Sequence, residues 1–220
     1  MFEGQERFFI SQDWITIIFL VVLVLITMAK YLYNERFTKL FSLFYSDKYY
    51  TDYSISKPLI FNLFHTLLLL AFIFNISLLI FYLLRSYQLI DTSYNFLFYL
   101  NVLLVTVIFI ILRYIIGVFL GLVFEKSEEQ NYLTFLKVNN LGLMSIYLYP
   151  LLLIVNYSPY STQKFLVTFI AFILLIFASV RSVNVLKNDR LNFNTIFYLF
   201  LYLCTLEITP FIVSYKLLVK

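Results

Sequence analysis

An all-α, polytopic membrane protein is the fold class this sequence predicts, and three observations predict it. The chain is 62 % hydrophobic and only 13 % charged over 220 residues, whereas soluble domains run near 45–50 % apolar and about 25 % charged. Its mean hydropathy is +0.90. The apolar residues gather in long runs of the roughly 20-residue length that crosses a bilayer as a helix. Six such runs stand at about 14–33, 59–84, 95–124, 133–155, 163–185 and 192–216, in one integral domain covering 1–220.

The first run opens at Trp14 and closes on Lys30-Tyr31-Leu32-Tyr33, the basic and aromatic spelling of a membrane interface. The tail before it sets Glu3, Glu6 and Asp13 against Arg7. A cleaved signal needs a basic front and a small-residue cleavage site, and the tail offers neither, so this segment is expected to stay as a helix. The longest loop follows, at 34–57. In it Phe37, Leu40, Phe41 and Phe44 recur at i, i+3, i+4 and i+7, with Thr38, Lys39 and Ser42 opposite. That pattern predicts a short amphipathic helix, lying in the headgroup plane of the first cytoplasmic loop or packed on other protein.

In the second run Asn62 and His65 share a face near the inner end. Such a pair either faces a cavity or hydrogen-bonds across helices, the commoner use. The third run is long enough to tilt or project, and its Gly117-Val118-Phe119-Leu120-Gly121 segment spells a close-packing motif, expected against another span rather than a second copy. Gly and Ala are otherwise sparse, so close helix contacts should be few. Asn139 and Asn140 are expected at the opening of the fourth run, tying its end to neighbouring loops, and Glu125, Glu128 and Glu129 read as a solvated acidic loop before it. Pro150 and Pro210 fall late in the fourth and sixth runs and should bend them.

Arg113 in the third run and Glu207 in the sixth are the charges set deep in apolar sequence. An ion in hydrocarbon costs about 2.5–3.5 kcal/mol on insertion scales and must find a partner or water. At about 1.5 Å per residue, Arg113 lies roughly 16 Å from the inner end of its run and Glu207 roughly 20 Å from the inner end of its own. The two helices are antiparallel, and helical side chains lean toward the N-terminus, which closes the gap. A buried ion pair is expected. It serves either to fix which helices are neighbours or to hold Glu207 for a proton- or ion-coupled step. Pro210 frees the Leu206 carbonyl beside Glu207, an arrangement that suits a cation or water as well as an ordinary kink.

Charge and rare residues narrow the function classes. Ten basic residues flank the first, third and fifth loops against five on the other side, so those loops should be cytoplasmic and both termini outward. The net charge of +4 carries no dense basic block, which makes nucleic acid a poor partner. The lone Cys204 and lone His65 exclude an internal disulfide, a multi-cysteine or histidine-cluster metal site and bis-histidine haem ligation within the chain. No zinc-protease, nucleophile-elbow, redox CxxC, P-loop or dinucleotide motif is spelled, and Gly142-Leu143-Met144-Ser145 is no elbow. Catalytic residues, cofactors and metals are therefore not expected. The 26 Phe and 19 Tyr follow codon bias and are not by themselves a binding signal.

Three segments resemble a known family: Asp13-Trp14-Ile15-Thr16-Ile17 leading to Ala29-Lys30-Tyr31-Leu32-Tyr33-Asn34-Glu35-Arg36-Phe37, the stretch from Asn140 to Pro150, and Tyr202-Leu203-Cys204-Thr205-Leu206-Glu207-Ile208-Thr209-Pro210. The pattern is similar to DUF4271, polytopic proteins of the cytoplasmic membrane in Bacteroidota. The resemblance implies a location in that inner membrane and singles out Glu207 and Pro210; it carries no activity. The expected function is a non-enzymatic subunit that anchors or assembles a larger envelope complex, with the lipid bilayer and other membrane or envelope proteins as partners. A small transporter or channel component using Arg113 and Glu207 is the alternative, and a lipid- or isoprenoid-binding accessory the third reading.

Overall fold

A computed structural model describes residues 13–42, 62–87, 96–125 and 127–186. The sixth predicted run, with Glu207 and Pro210, and Phe44 of the first loop lie outside the described residues. The described residues form helices α1 (Asp13–Leu32), α2 (Asn34–Ser42), α3 (Leu63–Ser86), α4 (Phe96–Val123), α5 (Ser127–Tyr157) and α6 (Tyr160–Leu186). By length and composition Asp13–Leu32, Leu63–Ser86, Phe96–Val123 and Gln130–Tyr157 are long and apolar enough to cross a membrane, while the apolar stretch of α6, Thr162–Ala178, is shorter. The protein is thus a multi-pass α-helical membrane protein as far as its described helices extend.

Helix α3 is the hub, in contact with α1, α4, α5 and α6. Over the most apolar 18 residues of each helix, 56 % of α3 is buried against 11 % of α4, which separates a central helix from a peripheral one. The sequence accounts for both. Helix α3 turns polar His65, Asn75 and Tyr82 to one neighbouring helix and Ser77 to another, and only contact on both sides satisfies them. Helix α4 is apolar nearly all round and buries a single stripe, Tyr99, Val102, Thr106, Gly117 and Gly121, at helical spacing. Its other side, including Leu104, Val105, Ile108, Ile111, Leu112, Ile115 and Phe119, is exposed.

The core divides into two parts along the bundle. One gathers Ile15, Ile18, Val22, Leu78, Phe81, Tyr99, Leu148 and Leu152; the other gathers Ala29, Leu40, Phe64, Leu68, Phe135, Leu136 and Leu143. The second contains the apolar side of α2. A turn at Tyr33 separates α2 from α1, and Leu40 is then fully buried while Phe37 packs beside it. The Phe41 ring lies 5.4 Å from that of Tyr147 on α5, so this face of α2 rests on protein.

Two expectations at the start of the fourth run are corrected. Helix α5 begins at Ser127, so Glu128 and Glu129 belong to its first turn rather than to a loop, and Asn139 and Asn140 are interior to the helix and buried rather than at its end. Carboxylates beside the positive end of a helix dipole favour helix where hydropathy reads loop. Only Glu125 stands in the turn between α4 and α5, exposed and with φ 53°.

Candidate functional site

The polar side chains of α3 and α5 meet along one seam. His65 Nε2 lies 3.0 Å from Asn139 Oδ1. Asn75 Nδ2 donates to the carbonyl oxygen and to Oγ of Ser145, both at 3.1 Å. Tyr82 Oη donates to Asn156 Oδ1 at 2.8 Å. Between the first two contacts the helices close tightly, for a Cβ built on Gly142 would stand 3.2 Å from Leu68 Cβ. Positions rise together on both helices, so α3 and α5 run parallel. From His65 to Tyr82 the seam extends roughly 25 Å at about 1.5 Å per residue, close to the thickness of a bilayer's hydrocarbon core.

Local structure explains why these groups can bond. His65, Leu68, Asn75 and Tyr82 are spaced by three and then sevens, the repeat that keeps one face of a helix turned toward a neighbour. Asn139 Nδ2 donates to the Phe135 carbonyl at 2.8 Å, which fixes the amide and leaves Oδ1 to accept from His65. Pro150 has no N–H, so the Ile146 carbonyl loses its usual donor and the helix is loosened one turn before the proline. Asn75 reaches the adjacent Ser145 carbonyl at that turn. Asn75 Oδ1 is itself buried and meets no hydrogen-bond donor among the described residues.

A second polar contact joins α3 to α4. Ser77 Oγ lies 3.1 Å from Thr106 Oγ1. Ser77 Oγ also lies 2.7 Å from the Ile73 carbonyl, and Thr106 Oγ1 approaches that of Val102. Two hydroxyl protons cannot serve three contacts. At most two of the three are therefore full hydrogen bonds at any one time.

At the end of the bundle opposite α2, Trp14 of α1 sits among aromatic rings of α3 and α4: Phe81 at 5.5 Å, Phe96 at 5.8 Å and Tyr99 at 5.4 Å between centroids. Trp14 Nε1 and Tyr99 Oη are both buried there and meet no hydrogen-bond partner among the described residues.

Of the residues singled out by sequence, Arg113 is half-buried on α4, in helical register with Thr106 and Gly117 of the covered stripe. Gly117 and Gly121 are buried. Asn62 stands just before α3 in extended conformation, makes no side-chain cap, and its carbonyl accepts from the Thr66 amide at 3.0 Å. His65 instead pairs with Asn139, 74 positions away in sequence. Pro150 is exposed, and α5 continues through it to Tyr157. Sequence reasoning passed over Asn75, Ser77, Tyr82, Thr106, Ser145 and Asn156. Their signal was a neutral polar residue inside an apolar run, weaker than the charge that drew attention to Arg113. Among the described residues no group of His, Cys, Asp and Glu is placed to hold a metal ion.

A family described as "Domain of unknown function (DUF4271)" matches residues 15–218. No curated protein and no solved structure matches the chain.

Proposed function

The chain belongs to the DUF4271 family, matched over nearly its whole length, and we propose that within the family it serves as a non-enzymatic subunit that anchors or assembles a larger complex in the inner membrane. The side of α4 left exposed among the described residues is the observation that carries this reading. A helix of 28 residues, roughly 42 Å long by its rise, offers a continuous apolar face on which another membrane protein can pack. The polar groups of the described interior support it too, since they are engaged mainly with one another across helices. Both termini face the periplasm in this reading, following the excess of basic residues in the first, third and fifth loops. Helix α2 then lies at the cytoplasmic surface, its apolar side resting on the bundle through Leu40 and Phe41.

Mild-detergent extraction from native membranes, followed by mass spectrometry of proteins and lipids, tests the reading. A stable partner at near-equal abundance is expected. Recovery of this chain alone, at every detergent strength that keeps it folded, would overturn it.

Transport is the second reading, favoured by the position of Arg113 on the covered stripe of α4 rather than on its lipid side. In this reading the Glu207 carboxylate of the sixth predicted run is its partner. This reading expects Glu207→Gln to abolish function while abundance and melting temperature persist; an unaffected Glu207→Gln phenotype rejects it.

A further inference from the structure

We propose that α2 acts as a strap on a weakened turn of α5, so that displacing α2 at one end of the bundle loosens the half of α5 that reaches the other end. This role is independent of whether a protein partner packs on α4.

The weak turn follows from covalent chemistry. Pro150 lies inside α5 and has no N–H, so the Ile146 carbonyl loses its helical donor and the ring crowds that carbonyl. Prolines of this kind are where long helices bend. The contacts of α5 change character at the same turn. Between Ser127 and Ser145 the helix is fastened to α3 by His65 on Asn139, Leu68 against Gly142 and Asn75 on Ser145. Beyond the proline, Tyr82 bonds Asn156, and fully buried Leu152 and Val155 pack in the core. Apolar packing has no fixed direction and resists sliding less than a set of hydrogen bonds does.

Three neighbours hold the turn from Ser145 to Pro150. Asn75 of α3 bonds Ser145, the Phe19 ring of α1 meets Tyr149 at 6.0 Å, and the Phe41 ring of α2 meets Tyr147 at 5.4 Å and 34°. Of these, α2 is the most easily removed. It has nine residues, too few to stay helical in water, against 20 in α1 and 24 in α3. Short elements resting on a larger core open at lower free energy than the core itself. Tyr147 adjoins the residue whose carbonyl Pro150 frees, so lifting Phe41 withdraws support where the backbone is weakest.

Deuterium exchange of the intact chain in lipid nanodiscs, read by mass spectrometry, tests the strap. Phe41→Leu removes the ring contact and keeps an apolar side chain beside the Leu40 anchor, so α2 stays docked. Amides of 147–156 should then exchange about two- to tenfold faster, the loss of one aromatic pair, while those of 63–86 keep their rates. In a Tyr147→Leu background the ring pair is already gone, and Phe41→Leu should add nothing. Unchanged exchange at 147–156 in Phe41→Leu, acceleration shared equally by α3, or full additivity of the two substitutions would overturn the strap.

Discussion

Leu68 of α3 crowds position 142 of α5: a Cβ there would meet Leu68 Cδ1 at 3.1 Å and its Cβ at 3.2 Å, tighter than nearly all real Cβ contacts. The first of these atoms can swing aside, but Leu68 Cβ is fixed to the backbone of α3. Gly142→Ala must therefore push the two helices apart where the His65–Asn139 and Asn75–Ser145 bonds flank the contact. A loss of about 1–3 kcal/mol is expected, the usual cost of overpacking. Thermal unfolding followed by fluorescence-detected size exclusion measures it. Leu68→Gly in the same chain removes that Cβ, so the double variant should cost less than the two single losses summed. Strictly additive effects of the two substitutions would show that the crowding lies elsewhere.

The proton on His65 is the next expectation. Asn139 has spent its amide protons toward the Phe135 carbonyl side, so its Oδ1 accepts and His65 donates through Nε2. Nitrogen NMR of labelled protein should find the neutral ring protonated at Nε2. A proton on Nδ1 would mean the Asn139 amide is turned the other way. Asn139→Leu should cost about 0.6–1.7 kcal/mol for the lost interhelical bond, and a double substitution with His65→Phe should cost less than the two single effects summed.

These two contacts show what sequence reading can and cannot reach in such a chain. Apolar run length located helices α1, α3 and α4 within a few residues, because the bilayer sets that length directly. It failed at the start of α5, where Ser127-Glu128-Glu129-Gln130 is too polar for a span. The same four residues spell a helix-opening capping pattern, a signal that hydropathy overrides. Asn139 was accordingly placed at a helix end instead of opposite His65. The seam was hidden for a different reason: matching Asn75 to Ser145, or Tyr82 to Asn156, requires knowing that α3 and α5 are parallel neighbours. Aromatic abundance likewise said nothing until Trp14 was found against Tyr99 with both polar atoms enclosed.

Arg113 gives a prediction that reaches beyond the described helices. If its guanidinium and the Glu207 carboxylate compensate each other, reversing either charge alone places two like charges together in a medium that screens them poorly. Arg113→Glu and Glu207→Arg should each lower membrane abundance severalfold, and the double swap should restore most of it. Immunoblots of membranes from matched cultures decide the matter. Normal abundance of either single variant would show that the pair does not hold the helices together.

Helix α2 offers the most local prediction. Leu40 is fully buried among Phe64, Phe135 and Leu136, and α2 has only nine residues, too few to hold itself helical in water. Its order therefore depends on this one anchor together with Phe37 and the Phe41–Tyr147 ring contact. Leu40→Ala should cost about 2–4 kcal/mol, the range for emptying a leucine site in a packed core. The loss should fall on α2 before it reaches the bundle, because the seam bonds of α3 lie on other residues. Hydrogen–deuterium exchange read by mass spectrometry is the direct check: amides of 34–42 should exchange faster in the variant while those of α3 near Asn75 keep their protection. Equal acceleration in both helices would instead make α2 a structural part of the bundle's cooperative core.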